Sequence, residues 1–150
     1  MDSAQRWRDP VKERLFTLEE ANALIPKLEV IMTKLQQRGH HLRQELNELA
    51  EQTGQAAEDL TTAQLLELRP ALQPLLEELN ALLAEIEACG GEFKGLDLGL
   101  VDFPAELDGT PILLCWQYGE KEIAYYHSPA AGFAGRTPLA ARPARGPYLH

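Results

Sequence analysis

The segment GLVDFPAELDGTPILLCWQYGEKEIAYYHSPAAGFAGR, running from Gly99 to Arg136, decides the fold class of this chain. Its apolar residues alternate with a period of two, so Leu100 to Phe103, Ile112 to Trp116 and Ile123 to His127 read as strands. Glu92 to Lys94 offers a short fourth. Between the first two strands, Asp108-Gly109 is suited to a two-residue type I′ turn, which needs positive φ at both positions. That turn sets Leu107 opposite Thr110 and therefore Asp102 opposite Cys115.

The second turn, around Gly119 to Glu122, leaves two registers open, and a slip of one residue exchanges the two faces of a strand. A four-residue loop pairs Cys115 with Tyr126. It gathers Val101, Phe103, Leu114, Trp116, Ile123 and Tyr125 on one apolar face, with His127 at its end. A three-residue loop, Glu120 to Glu122, instead lines up Asp102, Cys115 and His127 in a single cross-strand row. The four-residue loop is preferred, because it keeps the apolar residues together and because a three-residue loop wants glycine at its third position. In that register Cys115 is a buried, inert thiol and His127 a hydrogen-bonded histidine at the edge of the core.

The other register makes a site. A thiol, an imidazole and a carboxylate suit a soft divalent metal such as zinc, with Glu120 or a water as fourth ligand. They also suit an activated cysteine nucleophile. Downstream, Gly132, Gly135 and Arg136 could form a nest of backbone amides beside a guanidinium, able to take an anion or small molecule. The Gly-x-x-Gly spacing there lacks the basic groove that an RNA-binding loop of that type needs.

Upstream, the period changes to that of a helix. Thr17 and Glu20 form a capping-box signature, with Phe16 placed to staple onto Ala21. From Leu18 to Leu49 apolar residues recur in steps of three and four, giving a helix to about Glu51 with a kink expected at Pro26. Residues 52–59, with Gly54, form the connection. Thr61 or Thr62 then caps a second helix whose stripe runs from Leu65 to Cys89 and stops at Gly90-Gly91. Pro70 and Pro74 allow a break after Leu68. The implied fold is α+β: a long antiparallel two-helix hairpin, coiled-coil-like, packed on a small antiparallel β-meander of three to four strands. Second apolar rows, Leu24 and Ile31 on one helix and Leu66, Leu76 and Leu83 on the other, need a cover, either the sheet or a second copy of the chain.

The 150 residues suffice for one domain, read as 15–139: helical hairpin 17–90, meander 92–128 and Gly-rich turn 129–139. A flexible arm, 1–14, precedes it and a disordered tail, 140–150, follows. A net charge of −9 argues against nucleic-acid and anionic-membrane binding, both of which depend on basic residues. The basic residues at the two ends, Arg6 to Arg14 and Arg136 to Arg145, read as solvated tails. With no signal-like or membrane-spanning run and only two cysteines, Cys89 and Cys115, the chain is expected to be cytoplasmic with reduced thiols.

Several of these segments together resemble a family of uncharacterised prokaryotic proteins, domain of unknown function 2203. The residues that carry the resemblance are Phe16 to Asn22, Gly99 to Pro104, Leu114-Cys115-Trp116, Gly119-Glu120, His127 and Gly132 to Arg136. Two positions depart from the family pattern: Tyr126, where Trp often precedes the His, and Gly95, where an acidic residue often follows the Lys. The resemblance implies no activity.

Three functional readings follow. The leading one is a non-enzymatic, self-associating interaction protein, a homodimer joined through its spare apolar rows. The second is a small metal-binding protein or metalloenzyme using Asp102, Cys115 and His127, with Glu120 in reserve. The third is an anion or small-molecule site at Gly132 to Arg136.

Overall fold

Thr17 begins the first helix. Its hydroxyl accepts the Glu20 amide at 3.0 Å while the Glu20 carboxylate accepts the Thr17 amide at 2.9 Å, so two orphan donors of the first turn are satisfied. A computed structural model describes residues 14–139. The expected tail and all of the expected arm except Arg14 lie outside the described residues.

Helix α1, Leu18–Ala23, gives way at Leu24 to α2, Ile25–Thr53. The kink expected inside one helix is thus a break before Pro26, which then sits in the first turn of α2, where its missing N–H has no partner to lose. A 3₁₀ turn, Ala57–Asp59, leads to α3, Thr62–Leu68, capped by Thr61 in a second capping box with Gln64. Pro70–Leu72 forms another 3₁₀ turn before α4, Gln73–Ala88, so the second rod is broken where its prolines allow. The two continuous helices of the expected hairpin are four, and α2 packs against α4.

Five strands follow: β1, Glu92–Gly95; β2, Leu100–Leu107; β3, Thr110–Gln117; β4, Tyr125–His127; and β5, Thr137–Pro138. They lie in chain order, and each adjacent pair is antiparallel. The fold is α+β, with one strand more than the expected three to four. The extra strand, β5, arises because the chain turns back after the Gly-rich segment and pairs Thr137 with Tyr126. Asp108 and Gly109 take φ of 52° and 80°, and the register they set places Leu107 opposite Thr110 and Asp102 opposite Cys115, as the turn chemistry implies.

One face of the sheet covers the helices. Val101, Phe103, Ala105, Ile112, Leu114 and Trp116 are buried with Leu28, Ile31, Met32 and Leu35 of α2 and Ile86 of α4. Each of the larger aliphatic and aromatic side chains among them contributes roughly 1.5–3 kcal/mol on leaving water. Phe16 joins this core, its ring edge-on to Phe103 at 5.0 Å and its amide donating to the Pro104 carbonyl at 2.7 Å. Ile31, Leu24 and Leu83 pack into the same cluster, and Leu76 packs on a smaller one built on Leu49, Leu65, Leu72 and Leu75. Much of the second apolar rows is therefore covered within one chain. Among the described residues, no helix is long and apolar enough to cross a membrane.

Candidate metal centre

The opposite face of the sheet holds the site. After β3 ends at Gln117 the chain turns through Gly119, at φ 102°, where the Glu120 amide donates to the Gln117 carbonyl at 3.0 Å. The Trp116 indole donates to the Glu120 carbonyl at 3.0 Å, and the Ile123 amide donates to Asn22 Oδ1 at 2.7 Å. Ile123 is thereby drawn into the core and β4 starts only at Tyr125. The register is Cys115 opposite Tyr125, Leu114 opposite Tyr126 and Leu113 opposite His127.

This corrects the preferred four-residue register, which paired Cys115 with Tyr126. Tyr125 lies on the outer face with Cys115, Tyr126 on the helix-facing side with Leu114, and His127 is not at the end of the apolar face. The three-residue register is not adopted either. Its parity survives, because the observed pairing differs from it by two residues. Asp102 and Cys115 form a cross-strand pair, and His127, opposite Leu113, approaches them diagonally.

The three side chains converge at the bottom of a cleft of about 200 Å³. Asp102, Cys115 and His127 are 2%, 1% and 3% exposed, and one donor atom from each lies within 4.8 Å of the others. His127 Nε2 is 3.0 Å from Asp102 Oδ2, and His127 Nδ1 is 2.8 Å from the Ser128 carbonyl. A carbonyl only accepts, so Nδ1 carries a proton and Nε2 faces the carboxylate. A single further proton must lie between Nε2 and Oδ2, since two lone pairs at that distance would repel. Asp102 Oδ1 is buried with no partner meeting hydrogen-bond geometry, although the Cys115 thiol lies close enough to pull the carboxyl's pKa down.

Burial dominates the electrostatics. Asp102 is raised above the ordinary carboxylate value by desolvation, which outweighs the opposing pull of His127, Cys115 and Lys94. The Cys115 thiol is pushed up to about 12, first by burial and then by the neighbouring Asp102 charge. A thiol held this way is a poor nucleophile, which disfavours the cysteine-nucleophile chemistry that the same three residues could otherwise perform.

The donor set fits a metal better. Zinc ligands at normal bond lengths stand roughly 3.3–3.6 Å apart in a tetrahedron; His127 Nε2 and Asp102 Oδ2, at 3.0 Å, have only to part slightly, and no pair of donors, all within 4.8 Å, has to close by more than about 1.5 Å. His127 already has the arrangement of a ligating histidine: Nδ1–H is tied to a backbone carbonyl, which orients the Nε2 lone pair into the site.

Glu120 stands outside this group. Both its oxygens accept from Arg136 Nη2, at 3.1 and 3.0 Å, and Oε1 also accepts the Gln117 amide at 2.7 Å. Arg136 is engaged too: Nη2 reaches the Cys115 carbonyl at 3.3 Å, and the guanidinium lies 4.1 Å from the Tyr125 ring centre and 4.8 Å from that of Phe133. Gly132, with φ 66°, precedes a 3₁₀ turn, Phe133–Gly135, whose Phe133 forms a wall of the cleft. In this arrangement the Gly132–Arg136 segment is tied to the sheet through Arg136, whose buried Nε has no hydrogen-bond partner.

Two cleft features escape a reading from sequence. Lys94 lines the cleft, and Glu92, opposite Asp102 in the register, holds the Lys94 ammonium at 3.2 Å. The signal was the alternation Glu92-Phe93-Lys94, which puts both charges on the Asp102 face once β1 is paired with β2.

Residues 14–139 match the family described as Uncharacterized conserved protein (DUF2203). The chain belongs to that family. The match extends from Arg14 through β5, and so takes in every described helix and strand and the whole cleft. Neither a curated protein nor a solved structure gives a significant match to the chain.

Proposed function

We propose that this member of the DUF2203 family binds a divalent transition metal of the zinc class through Asp102, Cys115 and His127, with one coordination position open to the cleft. The observation that carries the reading is the convergence of three different donor atoms at the floor of one cleft, with His127 pre-oriented through Ser128. Three protein ligands and an open position are the pattern of a catalytic rather than a structural zinc site. A metal held there supplies Lewis acidity and an activated water. The protein residues hold it in a shielded site, where Leu100, Leu113 and Phe133 exclude bulk water.

The test is elemental analysis of the chain purified without an affinity tag. About one metal per chain is expected, falling sharply in Cys115→Ala and His127→Ala. Less than about a tenth of an equivalent in the parent chain, after incubation with zinc and removal of the excess, overturns the proposal. The self-associating interaction protein is the second reading. It rests on exposed Val30 and Leu68 in the helical layer, and a monomer by light scattering at high concentration sets it aside.

A further inference from the structure

We infer that the open position of this centre takes a small carboxylate bearing a short apolar group, whose charge meets Lys94 and whose tail lies against Leu113, Pro129 and Phe133. The inference rests on the proposed metal reading and deepens it.

The coordinating set decides the charge. A thiolate and a carboxylate cancel a dication and neutral His127 adds nothing, so the ligands leave no net charge at the floor. The cation that lines the same cleft is Lys94, close enough to Asp102 to act on its charge. Its present partner is Glu92, 3.2 Å away, and the two side chains are 44% and 30% exposed. An ion pair that open is held weakly, so a metal-bound anion can recruit the ammonium at little expense. The other cation near the site, Arg136, is turned away from the cleft onto Glu120, the Cys115 carbonyl and two rings.

Size and polarity decide the rest. About 200 Å³ is below the range of pockets that hold drug-sized ligands, so the occupant is small. Beyond the three donors and Lys94 the walls are Leu100, Leu113, Pro129, Gly132 and Phe133, which offer a phosphate's remaining oxygens no further polar side chain and favour an alkyl group instead.

Cobalt(II) in place of zinc makes the site visible. Acetate, butyrate and inorganic phosphate are titrated into the cobalt-loaded chain while its d–d absorption bands are followed. Saturable shifts are expected with both carboxylates, butyrate binding about tenfold more tightly than acetate for two further buried methylenes, and phosphate binding weakest. Lys94→Ala should weaken butyrate about tenfold and Lys94→Arg restore most of it, with cobalt stoichiometry measured first in each variant. Absence of cobalt bands in the parent chain refutes the metal reading itself. Bands that form but do not respond to carboxylates, equal affinity for acetate and butyrate, or tightest binding of phosphate overturn the present inference and leave the metal reading standing. Unchanged butyrate affinity in Lys94→Ala also overturns it.

Discussion

Metal uptake by Asp102, Cys115 and His127 should release two protons. One comes from the Cys115 thiol, which burial and Asp102 hold protonated with a pKa near 12. The other is the proton shared by His127 Nε2 and Asp102 Oδ2 across 3.0 Å, required because His127 Nδ1 is committed as donor to Ser128. Each proton displaced adds about 1.4 kcal/mol of metal affinity per pH unit, so the apparent affinity should climb about a hundredfold for each unit over the pH range in which the metal-free site holds both protons. Competition for zinc against a chromophoric chelator, repeated across that range, gives the slope directly. Calorimetry in two buffers of different ionisation enthalpy counts the protons independently. Cys115→Ser retains the shared proton and replaces the thiol by a hydroxyl that does not ionise here, so its slope should fall to one and its affinity should drop. A slope of one or less in the parent chain refutes the protonation assignment, and a slope of two retained in Cys115→Ser refutes the role of the thiol.

Other outcomes follow from the same geometry. Iodoacetamide at about pH 8 should label half-buried Cys89 and spare Cys115, whose thiolate fraction is then about one part in ten thousand; in denaturant both should react. Asp102 has a raised folded-state pKa, so it weakens the metal-free fold as pH rises above its unfolded value near 3.8 and through its folded pKa. Asp102→Asn removes that dependence, and urea melts at acidic and neutral pH should show the variant gaining on the parent as pH rises. Arg136→Ala breaks the Glu120 and Cys115 contacts and frees Phe133, for a loss of about 2–3 kcal/mol in urea unfolding. Asn22→Ala leaves the amide of buried Ile123 without its acceptor and should lower stability by about 1–3 kcal/mol, read the same way.

How much of this was legible beforehand depends on whether the determinant was local. Thr17 and Glu20, Thr61 and Gln64, and Asp108-Gly109 are motifs whose partners lie within three residues, and each forms as its chemistry requires. The Asp102–Cys115 pair inherits its certainty from the last of them. The proline breaks were readable too, although local rules do not say whether Pro26 bends a helix or begins one. Here the chain leaves the helical ladder at Leu24, and Pro26 takes a position where no hydrogen bond is missed.

The place of His127 was beyond such rules. Turn chemistry allowed Gly119 to Glu122 to close a tight hairpin, and both registers weighed on that basis assumed it does. What overrides the tight hairpin is Asn22, a hundred residues upstream, whose side chain captures the Ile123 amide, together with the Trp116 indole on the Glu120 carbonyl. These contacts spend the residues from Tyr118 to Ala124 on a longer path, so the strand resumes at Tyr125 with His127 on the outer face. Helix α1 therefore sets the register of a strand it does not belong to, and with it the third ligand of the site. A consequence is that Asn22→Ala should reduce zinc affinity as well as stability, whereas Thr17→Ala, which loses only the cap at about 1 kcal/mol, should leave zinc affinity alone. Equal effects of the two substitutions on zinc affinity would show that α1 acts on the centre through stability and not through the register of β4.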